Sequence, residues 1–171
     1  MPTLATLNTL DRAAFTGALG HLFEHSPWVA DETWPQRPFR DTAHLHAALC
    51  ATMRAAAPAR QLALIRAHPD LAGRLAQQDA LTAESTREQS SAGLDRLTPA
   101  ELAEFQRLNT AYLARFGFPF IICARLNAKS AILAAMQTRL PNTAEVEFTT
   151  ALGEIEKIAR LRLNDFLEKT T

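Results

Sequence analysis

One arginine sits where an apolar side chain is expected. Ile155, Ile158, Ala159 and Phe166 recur at i, i+3, i+4 and i+11, so they share one face of a helix. Arg162 falls at i+7, near the middle of that face, whereas Arg160 points well away. A cation in an apolar stripe must find an anion, because an unpaired buried charge is costly. Two readings are open. The guanidinium snorkels or pairs with an internal carboxylate, or its planar fork clamps an external anion such as a carboxylate.

Other residue types suited to chemistry are more ambiguous. Ser85-Thr86-Arg87-Glu88 fits a capping box, with Gln89 next. Glu88 could instead polarise a histidine, and Gln89 could hold an amide. His68 lies in Ala67-His68-Pro69-Asp70-Leu71-Ala72-Gly73, at the point where proline ends a helix. Such a histidine is presented on a junction, and its side chain suits proton transfer near neutral pH; a structural role is the alternative. His21-Leu22-Phe23-Glu24-His25 matches the H-x-x-E-H pattern of one zinc-peptidase class. Ser26-Pro27 follows at once and no third ligand is evident, so a metal site is not expected. His44 and His46 read as surface residues. There is no P-loop, Gly-rich dinucleotide turn or Cys-x-x-Cys.

The elements that must position these residues are helical. A first helix is expected from Leu10 to His25, stopped by Pro27, and a loop over Asp31 to Phe39. Asp41 can cap a helix carrying Leu45, Leu49 and Met53, and another spans Arg60 to Ala67. Thr98-Pro99-Ala100-Glu101 is the clearest start signal, and Leu102, Phe105, Leu108, Tyr112 and Phe116 form the stripe behind it. Gly117 ends that helix, and an extended apolar segment runs from Phe118 to Cys123. Helices from Lys129 to Leu140 and from Ala144 to Glu168 complete the chain. The expectation is an all-α single domain over 1-171, a bundle of about seven to nine helices.

Composition narrows the function. The sequence has 171 residues, 47% hydrophobic and 21% charged, an ordinary globular balance. Eighteen basic residues offset eighteen acidic ones, which argues against a nucleic-acid binder. No apolar run approaches the roughly 20 residues of a membrane span. Cys50 and Cys123 are too few for a disulfide framework and read as core thiols in a reducing cytosol. The N-terminus lacks a secretory layout and the C-terminus lacks a peroxisomal address, so a cytoplasmic protein is expected.

Together these pieces resemble one family, the 2-oxo-4-hydroxy-4-carboxy-5-ureidoimidazoline (OHCU) decarboxylases of urate breakdown. The resemblance rests on Leu7-Asn8 with Phe15, Phe23-Glu24-His25-Ser26-Pro27-Trp28-Val29-Ala30 and Arg37-Pro38-Phe39. It continues through Ala67 to Gly73 and Ser85-x-x-Glu88-Gln89-x-x-Ala92-Gly93-Leu94. Phe105-Gln106-x-Leu108-Asn109-x-x-Tyr112-x-x-Arg115-Phe116-Gly117-Phe118-Pro119-Phe120-Ile121-Ile122 is the most specific block, and Lys157-Ile158-Ala159-x-x-Arg162-Leu163 closes it. The chain departs at Leu126-Asn127, where many relatives carry a Gly-His type turn. The resemblance implies an all-helical homodimer that converts OHCU to (S)-allantoin without cofactor or metal. It implies His68 and Glu88 as catalytic residues. Substrate binding would fall to Pro69, Ser85, Gln89 and Arg162, with main-chain contacts from Phe120, Ile121 and Ile122. Two rivals are a helical interaction module without catalysis and a zinc hydrolase built on His21, His25 and Glu24.

Overall fold

The structure, a computed structural model, describes residues 3–73 and 81–168. These residues form nine α-helices and three short 3-10 turns, with no strand among them. The helices are α1 (Leu4–Thr9), α2 (Arg12–Leu19), α3 (Trp28–Thr33), α4 (Thr42–Ala55), α5 (Pro58–Ala67), α6 (Ala83–Ser91), α7 (Pro99–Phe116), α8 (Lys129–Arg139) and α9 (Ala144–Glu168). The all-α expectation is met. The chain divides into two compact units, one of Met1–Ala67 with Ile155–Thr171, the other of His68–Glu154.

In the first unit, aspartates set the helix starts. Asp11 accepts from the Ala14 N–H at 2.8 Å and Asp41 from the His44 N–H at 2.7 Å, satisfying amides that a helix leaves open. The helix expected from Leu10 to His25 is shorter than its apolar spacing suggests. It ends at Leu19, and a 3-10 turn follows over Gly20–Leu22. The chain then doubles back until Pro27 rests on Gly20, where a Cβ would lie 3.0 Å from that of Pro27. His25 takes the left-handed conformation, φ 45°. The loop before α4 is pinned by Asn8, whose amide donates to the Phe39 carbonyl and accepts from the Phe39 N–H, both at 2.8 Å. Phe15 stacks on Phe39, and Leu7, Leu19, Leu45, Leu49 and Met53 are fully buried around them.

In the second unit, α7 carries the expected capping box. The Thr98 hydroxyl accepts from the Glu101 N–H, and the Glu101 carboxylate accepts from the Thr98 N–H. Gly117 ends the helix at φ 73°, a left-handed position that glycine takes without a Cβ clash. The segment after it is extended and buried. Tyr112 lies at the centre of its packing, with ring centroids of Phe116, Phe118 and Phe120 at 4.5, 6.1 and 5.2 Å.

This segment is fixed by a buried ionic cluster. Arg139 pairs with Glu147 at 2.8 Å, donates to the Ile121 carbonyl at 2.8 Å and lies 4.2 Å over the Phe120 ring. Tyr112 and Asn142 also donate to Glu147, a carboxylate with no exposure. Burial alone would raise the Glu147 pKa. Hydrogen bonds from Arg139, Tyr112 and Asn142 outweigh it and hold the carboxyl below its ordinary 4.5. Burial, then the bond to Glu147, pushes the Tyr112 hydroxyl well up. Arg139→Met keeps the apolar stem but strands the carboxylate, and should cost about 3–5 kcal/mol in denaturant unfolding at pH 7. Glu147's folded pKa is depressed, so its contribution is present above 4.5 and is lost as pH falls through the folded value. The gap between wild type and Arg139→Met should therefore narrow below that pH.

Candidate active site

The local structure of α6 changes the reading of Ser85 and Glu88. The cap is Thr82, whose hydroxyl accepts from the Ser85 N–H at 3.2 Å. Ser85 is therefore the third residue of the helix and Glu88 lies in its interior, so the two do not form a capping box. Ser85, Glu88 and Gln89 stand at i, i+3 and i+4 and share one face. Ser85 and Gln89 are buried and Glu88 is half-buried.

That face holds the turn that begins at His68. Helix α5 ends at Ala67, as proline at position 69 requires. His68 is buried, and Pro69 is half-buried. Gln89 Oε1 accepts from the Ala72 N–H at 2.9 Å, and Gln89 Nε2 donates to the Asp70 carbonyl at 3.3 Å. From α7, Asn109 Nδ2 donates to the Leu71 carbonyl at 2.9 Å. The turn is tight and conformationally costly. Ala72 sits at φ 50°, and a Cβ on Gly73 would meet the Asp70 Cβ at 2.5 Å. Burial pushes the Asp70 carboxyl above its usual range, placing a second titratable group two residues from His68.

Helix α6 also packs on the 3-10 turn Ala124–Leu126, which follows the extended segment. Phe120 and Ile121 are buried and Ile122 is half-buried. The Cys123 N–H donates to Glu154 at 2.8 Å. Burial, then the charges of Glu154 and Glu88, holds the Cys123 thiol up, so Glu88 is felt at the end of this segment. His68, Pro69, Ser85, Glu88, Gln89 and Phe120, Ile121 and Ile122 thus all belong to the second unit.

Arg162 belongs to the first unit. Its anion is Glu24, at 3.0 Å, and Nη1 also donates to the His21 carbonyl at 3.3 Å. Both side chains are almost wholly buried. The internal partner left open by the spacing argument is therefore real. The same pairing removes the zinc geometry: Glu24 is engaged, and the helix ends before His21 and His25 can share a face. Among the described residues no three His, Cys, Asp or Glu side chains gather as a metal would need.

Glu24, Asn109 and Arg139 carry structural roles that the sequence reading did not assign. Asn109 stands at i+4 from Phe105 in the stripe of α7 and Glu147 at i−4 from Ala151 in α9, the same signal that singled out Arg162. A polar residue on an apolar face points to a buried partner in each case.

Known proteins agree with this architecture. A family profile described as OHCU decarboxylase matches residues 8–164. A 2-oxo-4-hydroxy-4-carboxy-5-ureidoimidazoline decarboxylase of Halalkalicoccus jeotgali is 44% identical, over 95% of this chain and 90% of that protein. The Mus musculus protein of the same name is 42% identical, over 96% of this chain and 92% of its own length. A crystal structure of (S)-allantoin synthase superposes with a TM-score of 0.77 at 32% identity, covering 98% of this chain; the chain spans about half of that structure, 54%. A helical carboxy-lyase fold is thereby defined. The chain belongs to the OHCU decarboxylase family.

The Arg162–Glu24 pair makes a direct expectation. Arg162→Met should leave a buried carboxylate and destabilise by roughly 3–5 kcal/mol. Adding Glu24→Gln should recover much of that loss, because the stranded charge is gone. Thermal and denaturant melts of the single and double variants check this, and a double variant no more stable than Arg162→Met counts against the pairing.

Proposed function

We propose that this chain catalyses decarboxylation of OHCU to (S)-allantoin in the breakdown of urate, without a cofactor. The substrate supplies its own electron sink. Its carboxylate sits on a hydroxyl-bearing carbon next to a ring C=N, so the electrons of the breaking C–C bond flow into the imine as carbon dioxide leaves. The imine nitrogen, which now holds that electron pair, takes up a proton; the hydroxyl then loses its proton to become the ring carbonyl as a second proton is delivered to the adjacent carbon. The protein has to hold the carboxylate out of the ring plane, exclude water and move protons.

In this reading His68 is the proton-transfer group, taking the hydroxyl proton or delivering one to the new carbon centre, and Glu88 orients it. Delivery from one face sets the (S) configuration. Ser85, Gln89, Pro69 and the main chain of Phe120, Ile121 and Ile122 recognise the ureido and ring amides, where an unmade hydrogen bond is heavily penalised. Arg162 binds a charged or carbonyl group of the substrate, its fork oriented by Glu24. Among the described residues Gln89 has one N–H and one lone pair beyond those bonded to the turn, which a ligand can use.

The observation that supports this reading best is the bonding of α6 to the turn after His68. The helix face that carries Ser85 and Glu88 also carries the amide that binds the His68 turn. The family profile matches residues 8–164, which include residues of both units, and this supports 1-171 as a single OHCU decarboxylase domain. A cytoplasmic homodimer acting on a small molecule, with neither nucleic acid nor membrane as partner, completes the proposal. No helix among the described residues is long and apolar enough to cross a membrane.

The test is to generate OHCU freshly from urate, add the protein and follow the circular dichroism of allantoin. Rapid appearance of the (S) signal is expected, and a rate equal to the uncatalysed one sinks the proposal. His68→Asn should stay folded and lose about 10²–10⁴-fold in turnover. Glu88→Gln preserves shape but removes the charge that stabilises a protonated histidine. It should slow turnover strongly with little change in melting temperature; normal activity in that variant would exclude its role.

A further inference from the structure

We propose that Asn109 is a positioning residue for the reaction. Its amide, together with that of Gln89, braces the Asp70–Ala72 turn and so fixes the backbone that presents His68. This rests on the reading of His68 as the proton-transfer group.

Asn109 is an unfavourable choice for its place. It lies inside α7, among Phe105, Leu108 and Tyr112, and asparagine is a poor helix-interior residue. The side chain is nine-tenths buried, and its Oδ1 has no hydrogen-bond partner among the described residues. Burying an amide with one end unmet costs free energy that a leucine of similar size would not. The return lies at the other end, where Nδ2 donates to the Leu71 carbonyl at 2.9 Å.

That carbonyl is the middle one of a series. The Asp70 carbonyl and the Ala72 N–H on either side are bonded to Gln89. Three consecutive residues thus each have a main-chain group tied to a side-chain amide, from two different helices. The turn needs this support. A non-glycine residue at φ 50° and the pinched approach of Gly73 to Asp70 disfavour it on its own. The Gln89 amide holds the turn on either side of Leu71, and Asn109 adds a bond to the carbonyl between them from a second helix, so the turn is anchored on both α6 and α7.

Two variants remove the donor. Asn109→Leu is apolar and of similar size; Asn109→Asp keeps the shape and exchanges donor for acceptor. Steady-state kinetics with freshly generated OHCU are measured for both, for His68→Asn and for the His68→Asn/Asn109→Leu double variant, at a temperature where circular dichroism shows them folded. A misplaced reacting group costs rate more than binding, so kcat should fall about 10- to 100-fold with KM changed less than about twofold. The double variant should be no slower than His68→Asn, because a brace that acts through His68 has nothing left to position. Unchanged kcat in a folded Asn109 variant overturns the positioning role and leaves His68 in place. So does a full additional loss in the double variant, which is what general destabilisation predicts. If His68→Asn is as active as wild type, the reading of His68 falls and the brace falls with it.

Discussion

Buried backbone outside a helix must find its hydrogen bonds elsewhere, and much of this structure answers that constraint. A helix satisfies its own interior; a turn or extended segment does not. Among the described residues there is no sheet to take up the remainder, so side chains supply it. Asn8 pairs with Phe39 as a strand neighbour would. Gln61 closes the end of α4 at the Met53 and Arg54 carbonyls. Gln89 and Asn109 hold the turn after His68, and Arg139 and Glu154 hold the segment that ends at Cys123. The turn after His68 and the segment from Phe118 to Cys123 are two of the irregular stretches of the second unit, and both carry residues proposed for the site, while Ser85, Glu88 and Gln89 lie on α6. Irregular backbone brings chemistry-bearing groups where a regular helix cannot, and each such stretch is over-determined by polar side chains.

Charge inside the protein follows the same economy. Arg162 faces Glu24 in an almost wholly buried pair, and Arg139, its side chain 13% exposed, faces the fully buried Glu147. Buried ion pairs are weak contributors to stability compared with apolar packing, because desolvating both charges is expensive. Their retention is better explained by what else each arginine does. Arg139 spends a donor on the Ile121 carbonyl and stacks on Phe120. Arg162 also donates to the His21 carbonyl and so ties the 3-10 turn Gly20–Leu22 to α9.

Much of this was legible in the sequence where the signal was local. The capping box at Thr98, the left-handed stop at Gly117, the break at Pro69 and the long helix from Ala144 all depend on residues within a few positions of one another. Signals involving distant contacts were weaker. The helix expected to reach His25 stops at Leu19, a 3-10 turn begins at Gly20, and Pro27 packs back on that glycine, a contact that periodicity does not encode. The Ser85-x-x-Glu88 pattern resembled a cap, but Thr82 three residues earlier takes that role. Spacing showed that Arg162 needed an anion, yet the partner lay 138 positions away. Asn109 and Glu147 display the same mismatch with their apolar stripes; Asn109 binds a turn carbonyl 38 positions away and Glu147 binds Arg139 8 positions away and Tyr112 35 away, partners that helical spacing does not name.

The kinds of side chain that hold the two irregular stretches differ in one further respect. The turn after His68 is braced by carboxamides, which neither gain nor lose a proton in water at ordinary pH. Burial raises the pKa of the Asp70 carboxyl beside them, so protonating that group relieves a desolvation cost in the folded state. The extended segment instead hangs on the charge of Glu147, which protonation removes. Acid therefore attacks the two halves of the candidate site unequally. Amide on one side and carboxylate on the other give the two stretches different responses to acid.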